Sequence, residues 1–256
     1  MRVVKLLLLG LVAFLVTAAV RFPAAPVVER VRPDLGPVAL EGVEGALIDG
    51  RVARVRSTDE LLPLEFSDVR WTLAPLALPR GAAADVAFSG YGGGGEGQVL
   101  RAWNGDIVVE DMTFTAEAKA LEPLLPVPIA EFDGRLSGEL SRVVLEAGLL
   151  GTFEGAIVWS DAVLERPVQA ALGDVDVSVV KDGEEAHVAT VSAEGGDVAA
   201  EGTVRMTFDG DFVADLLLTP APSASPELVG MLQRVARPEG GGRLRLQQSG
   251  NVNQPM

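Results

Sequence analysis

The chain has 256 residues, 48% apolar and 22% charged, enough hydrophobic sequence to exclude a disordered tail. It has no cysteine and a single histidine, which excludes disulfides, thiol nucleophiles, thiolate zinc sites and multi-histidine metal centres. A net charge of −15 repels phosphate backbones, so nucleic acid is excluded as a partner, and it opposes approach to anionic lipid headgroups.

Met1-Arg2-Val3-Val4-Lys5 precedes an uncharged run from Leu6 to Val20, closed by Arg21-Phe22-Pro23. With Val3, Val4 and Phe22 the run reaches about 20 residues, roughly 30 Å of helix, which matches a bilayer core while Lys5 and Arg21 snorkel. Residues 1–21 are therefore expected to be an inner-membrane anchor with Arg2 and Lys5 on the cytoplasmic side. The small residues Thr17-Ala18-Ala19 leave a cleaved signal peptide open as the alternative. Residues 22–37 read as a linker, and 38–256 as a periplasmic β domain.

From Val38 the dominant period is two. Val175, Val177 and Val179 alternate with Asp174, Asp176 and Ser178, and Val204, Met206 and Phe208 alternate with Thr203, Arg205 and Thr207. This is the pattern of antiparallel strands with one buried face. Asn104-Gly105 and Asp209-Gly210 sit between such runs as hairpin signals. Tyr91-Gly92-Gly93-Gly94-Gly95-Glu96-Gly97 lacks the Lys-Ser/Thr and helix start of a phosphate loop and is expected to be a flexible loop between strands. Trp71, Trp103 and Trp159 end or interrupt apolar strands and are expected to pack the core. Asp174 and Asp176 share a solvated strand face, Asp182-Gly183-Glu184-Glu185 reads as a hairpin tip, and His187 is expected to be exposed at a strand start. No Gly-x-Ser-x-Gly elbow or calcium-loop pattern accompanies these residues. No catalytic, cofactor-binding or metal-binding residues are assigned, and no cofactor is expected.

Helices are few. Over Pro226–Ala236, Leu228, Met231, Leu232 and Val235 form one stripe behind a Ser225 cap, with Pro238 and the glycines at 240–242 as the stop. Ala118–Leu125 is a weaker counterpart. Both are expected to cover the apolar sheet face, with Leu228, Leu232 and Val235 on Val204, Met206, Phe212, Leu216 or their neighbours. Four short motifs recur in order: Glu44-Gly45-Ala46 with Glu154-Gly155-Ala156, Glu96-Gly97 with Glu201-Gly202, Asn104-Gly105-Asp106 with Asp209-Gly210-Asp211, and Gly134-Arg135-Leu136 with Gly242-Arg243-Leu244. They predict two similar halves, about 38–145 and 146–250, in one continuous sheet. The expected fold is mainly β: one N-terminal transmembrane helix, then a large curved antiparallel sheet with one or two short covering helices.

The motif order resembles the type II secretion system protein N family. The likeness rests on the amino-terminal span ending in Arg21-Phe22-Pro23-Ala24, on Val43-Glu44-Gly45, and on Val69-Arg70-Trp71-Thr72-Leu73-Ala74-Pro75. It continues through Gly155-Ala156-Ile157-Val158-Trp159-Ser160-Asp161-Ala162, Pro167, Leu172-Gly173, the carboxy-terminal helix, Gly242-Arg243-Leu244 and Gly250. Ala46-Leu47-Ile48-Asp49-Gly50 departs from the Thr and Trp common in the family. The resemblance implies a non-catalytic, bitopic inner-membrane accessory of the machine that moves folded periplasmic proteins across the outer membrane, with other secretion components as partners. The layout of one anchor and a glycine-rich β body also resembles AsmA-like envelope proteins, which makes lipid the partner in the alternative reading.

Overall fold

The computed structural model describes residues 22–31, 38–57, 64–124, 131–146, 149–166, 168–183 and 185–251. The expected anchor, 1–21, lies outside them, and no helix among the described residues is long and apolar enough to cross a membrane. Fourteen strands form one antiparallel sheet. They are β1 Val38–Gly45, β2 Asp49–Ser57, β3 Glu65–Leu73, β4 Gly81–Gly90, β5 Gly93–Ala102, β6 Ile107–Glu117, β7 Glu131–Glu146, β8 Leu149–Arg166, β9 Ala170–Asp182, β10 Ala186–Gly195, β11 Val198–Thr207, β12 Asp211–Pro220, β13 Arg237–Gly240 and β14 Arg243–Asn251. Each pairs with the next in sequence until β12, which pairs with β14, leaving β13 outermost.

Bulges break the ladders, and three of them carry an aspartate with positive φ: Asp68 (48°), Asp111 (51°) and Asp161 (50°). A short polar side chain tolerates the left-handed region where a β-branched one would clash. Both edges are managed against stray pairing. The first helix, α1 (Ala24–Val31), falls inside the stretch expected to be a linker and packs beside β1, while Pro23 bridges to Ala46. The other edge, β13, is four residues long and carries Pro238.

Two strand sets share one register. Leu100 pairs with Val108 and Arg205 with Val213; Val109 pairs with Val143 and Ala214 with Gln248; Ala82 pairs with Arg101 and His187 with Met206. Each second pair is the first with 105 added to both numbers, so β4–β7 and β10–β14 are paired alike except beyond the Glu96/Gln98 bulge, where β5–β6 is shifted by one residue relative to β11–β12. The crossover between β6 and β7 holds a 3-10 helix, Ala118–Leu124, and that between β12 and β13 holds α2, Pro226–Val235. The motif Glu44-Gly45-Ala46 does not follow this pattern: it ends β1, whereas Glu154-Gly155-Ala156 lies within β8.

Helix α2 forms as its sequence specifies. The Leu228 amide donates to Ser225 Oγ at 3.2 Å, Pro226 opens the first turn, and Glu227 faces the positive helix end. Leu228 and Leu232 are buried against Val198, Leu218, Leu244 and Ala170, with Leu216 at the margin. The expected contacts with Val204, Met206 and Phe212 are not made, because α2 lies over the strand ends that adjoin its own crossover. Val235 is exposed; the chain turns extended at Ala236, and that small residue takes the buried position instead. A second cluster, Ala77, Ala83, Leu100, Val108 and Val144, sits at the opposite strand ends beneath the 3-10 turn Pro75–Ala77.

These positions separate two substitutions on one helix. Leu232→Asp removes a buried leucine and places a charge on apolar surface, so it should cost about 3 kcal/mol or more in urea unfolding. Val235→Asp on the exposed side should cost less than about 0.5 kcal/mol by the same measurement.

Candidate functional site: the two faces of the sheet

Register divides the side chains into two unlike faces. On one face a row of mutual partners runs Phe114, Gly138, Ile157, Val177, Val191, Gly202, Leu216, Leu246 across β6 to β14. On the other, the neighbouring row runs Thr113, Glu139, Ala156, Ser178, Thr190, Thr203, Asp215, Gln247. The apolar row is half-buried rather than buried, apart from Gly138. Among the described residues no large side chain is fully buried, because no second layer lies on the sheet.

At one end of the strands the apolar face is closed by the crossover helices. There Ala118 and Leu121 of the 3-10 helix, with Phe132, Leu136 and Trp159, line an open apolar pocket of about 260 Å³. The Phe132 and Trp159 rings meet edge-on at 5.8 Å. Elsewhere aromatic rings lie over glycines: the Trp71 ring leaves no room for a Cβ on Gly50, and Phe114 none on Gly138. The glycine-rich run is part of this arrangement and is not a loop. Only Tyr91 and Gly92 turn, both at positive φ, and Gly93–Gly97 continue as β5, with Gly95 against the Phe88 and Phe114 side chains and Gly93 and Gly97 against Thr115 and Met112 of β6. The Tyr91 hydroxyl accepts from the Glu65 amide at 2.8 Å, which ties this turn to β3.

The tryptophans tie the chain together through their indole N–H groups. Trp71 donates to the Leu47 carbonyl at 2.9 Å, Trp103 to Leu78 at 3.0 Å, and Trp159 to Asp133 at 3.0 Å. Trp103 is 69% exposed in the β5–β6 turn, so core packing does not describe it. That turn leaves its ring beyond the strand ends, where no layer can cover it.

The polar face is cross-linked by ion pairs. Glu110 accepts from Arg142 at 2.7 Å and from Arg80 at 3.3 Å. Arg245 donates two bonds to Asp215, at 2.7 and 2.8 Å, and one to Glu239 at 2.8 Å. These bonds to Arg245, with one from Gln247, hold the Asp215 carboxyl below its ordinary range. The acidic pairs singled out in the sequence are placed apart from any shared centre. Asp174 accepts the Asp161 amide at 3.1 Å and supports the β8 bulge; Asp182 pairs with Arg205 at 2.8 Å; Glu184 lies outside the described residues. Among the described residues no group of three or more His, Asp or Glu is placed to hold a metal ion.

His187 does begin a strand, but it is 6% exposed rather than solvated. The β8–β9 ladder stops at Gly155–Val179, which leaves Phe153, paired with Val143 on β7, without a partner on β9. His187 Nε2 reaches across from β10 and accepts the Phe153 amide at 2.9 Å, so the ring must be neutral on this nitrogen. Phe208 packs on it at 5.0 Å. Burial lowers its pKa from the ordinary 6.5, Lys181 lowers it further, and Glu154 opposes both. Period-two patterning could not reveal this, because it requires the place where two ladders diverge.

The family model for the type II secretion system (T2SS), protein N, matches residues 36–247. A type II secretion system protein N from Aeromonas hydrophila is 26% identical over 249 residues, spanning 95% of this chain and 96% of that protein. No solved structure matches. The chain belongs to the type II secretion system protein N family.

A neutral acceptor in the fold sets a sign for pH dependence. With the folded pKa lowered, the contribution of His187 is complete above the ordinary value and declines as pH falls below it, because the unfolded chain takes the proton first. Urea midpoints should therefore fall between about pH 7.5 and 5 in the wild type. His187→Gln keeps an acceptor but does not titrate, and should flatten that decline; parallel profiles for the two proteins would contradict the assignment.

Proposed function

We propose that this member of the protein N family is a bitopic, non-catalytic inner-membrane accessory of the type II secretion system, supporting export of folded periplasmic proteins across the outer membrane. Residues 1–21 serve as a retained anchor with a cytoplasmic amino terminus, and the sheet lies in the periplasm. Its partners are other secretion components. The observation that carries this reading is the family match over residues 36–247, which takes in the sheet from before β1 into β14. The side chains that could suggest chemistry have structural work instead: His187 completes a ladder, Asp174 supports a bulge, and the tryptophans hold turns and a strand. We also read 38–145 and 146–250 as copies of one unit, supported by the register shared between β4–β7 and β10–β14.

Deleting the gene should leave exoproteins in the periplasm, and restoring the full chain should release them. A photo-crosslinking residue on the polar face, at Thr203 or Thr190, should capture apparatus subunits in cells. Normal secretion in the deletion strain together with no captured subunit would refute the reading.

A second reading is favoured by one observation, the half-buried apolar row that crosses eight strands and, among the described residues, is covered only where Leu216 and Leu246 meet the cluster under α2. A lipid-handling protein of the AsmA-like kind would seat acyl chains there. Diazirine fatty acids incorporated into membranes should then label peptides containing Val177, Val191 and Leu216. Labelling confined to residues 1–21 would exclude it.

A further inference from the structure

Of the eleven large apolar side chains exposed among the described residues, ten lie at one end of the strands, the end formed by the β1–β2, β3–β4, β5–β6, β7–β8, β9–β10 and β11–β12 turns. Only Val235, on α2, is at the other end. Singly scattered apolar residues are ordinary on a protein surface; their collection at one end is not. The strongest part of the patch lies in the first half. Leu76 is 95% exposed, and Trp103 is fixed against the same loop by its bond to the Leu78 carbonyl. Phe22 and Leu47 continue the patch, joined by the Leu47 amide donating to the Phe22 carbonyl at 2.8 Å.

That last contact identifies the occupant. The uncharged run Leu6–Val20 ends one residue before Arg21-Phe22, so the chain enters the sheet at this end. We propose that the turns carrying Leu47, Leu76, Leu78 and Trp103 rest on the bilayer that holds residues 1–21, with these side chains in the headgroup region. The proposal rests on the retained-anchor reading above. An indole with an apolar body and a polar tip suits that depth. The chain's negative charge opposes free approach to anionic lipid, but an anchor that ends beside the patch fixes proximity without charge attraction. At this half of the end Arg51, Arg80 and Arg101 balance Glu44, Asp49 and Asp106, whereas Asp182, Glu185, Asp209 and Asp211 outnumber Lys181 and Arg205 at the tips of the second half. The contact is therefore confined to the turns nearest the anchor, and the acidic tips stay in water.

The test uses the full chain in phosphatidylethanolamine–phosphatidylcholine vesicles with brominated acyl chains, which quench tryptophans at the interface. A chain with Trp71 and Trp159 changed to Phe reports Trp103 by itself; wild type against Trp103→Phe reports the same ring in an otherwise native protein. Trp103 emission should fall at least about twofold relative to unbrominated vesicles, and the double variant Leu76→Asp, Leu78→Asp should restore it. Flotation of the chain with the vesicles reports the anchor separately. A chain that floats while Trp103 stays unquenched overturns this proposal and leaves the anchor intact. A chain that does not float overturns the anchor reading and the proposal with it. Crosslinking from position 76 to a secretion subunit in cells, with Trp103 unquenched, would assign the patch to a protein instead and would also overturn the proposal.

Discussion

The absence of a covering layer over a single antiparallel sheet governs the rest of this molecule. A strand hides its backbone polar groups in ladders to both sides, but its apolar side chains need a second layer, and none is present among the described residues. Stability must then come from within the sheet. Ladders between sequence neighbours supply it, together with aromatic rings laid over glycines and small caps at the strand ends. Trp71 over Gly50 and Phe114 over Gly138 remove water from sheet surface that a neighbouring layer would otherwise cover. The clusters under α2 and under Pro75–Ala77 do the same at opposite ends.

The same constraint explains the unequal faces. Thr113, Glu139, Thr203 and Asp215 can remain solvated, and their neighbours form cross-strand ion pairs around Glu110 and Arg245. Exposed pairs of this kind contribute little to stability individually and weaken in salt. Their more durable effect is on register. A slip of one residue would move the carboxylates onto the apolar face and the valines into water, so the charge pattern excludes alternative pairings of a long meander.

How far the sequence was legible follows from which signals are local. Period two, Asn104-Gly105, Asp209-Gly210 and the Ser225-Pro226-Glu227 start are each decided within a few residues, and the strands, hairpins and α2 appear where these signals place them. Gly93–Gly97 misled because glycine disfavours strands as a single residue; ladders to β4 and β6 on both sides, with close approach of Phe88, Phe114, Thr115 and Met112, hold the run as a strand. Asp68, Asp111 and Asp161 carried no separate signal, since an aspartate at a bulge and one on a wet face look alike in sequence. His187 and Trp103 were misplaced for opposite reasons. One fills a gap between diverging ladders, and the other lies on a turn that no layer covers.

These local and non-local features together determine what such a sheet can offer a partner. On its polar face Glu110, Asp215 and Arg245 are already engaged within the chain, so a partner that addresses them must displace existing contacts, which favours weak and salt-sensitive association. Its lateral edges are occupied by α1 on one side and end in a four-residue strand containing Pro238 on the other, which discourages added strands. What remains is the open apolar row and the strand ends bearing Leu76 and Trp103, surfaces where burial yields free energy without breaking an internal bond. A single-layered sheet therefore concentrates its capacity for strong association on the apolar surface that its own fold leaves half-covered, whether lipid or protein takes that place.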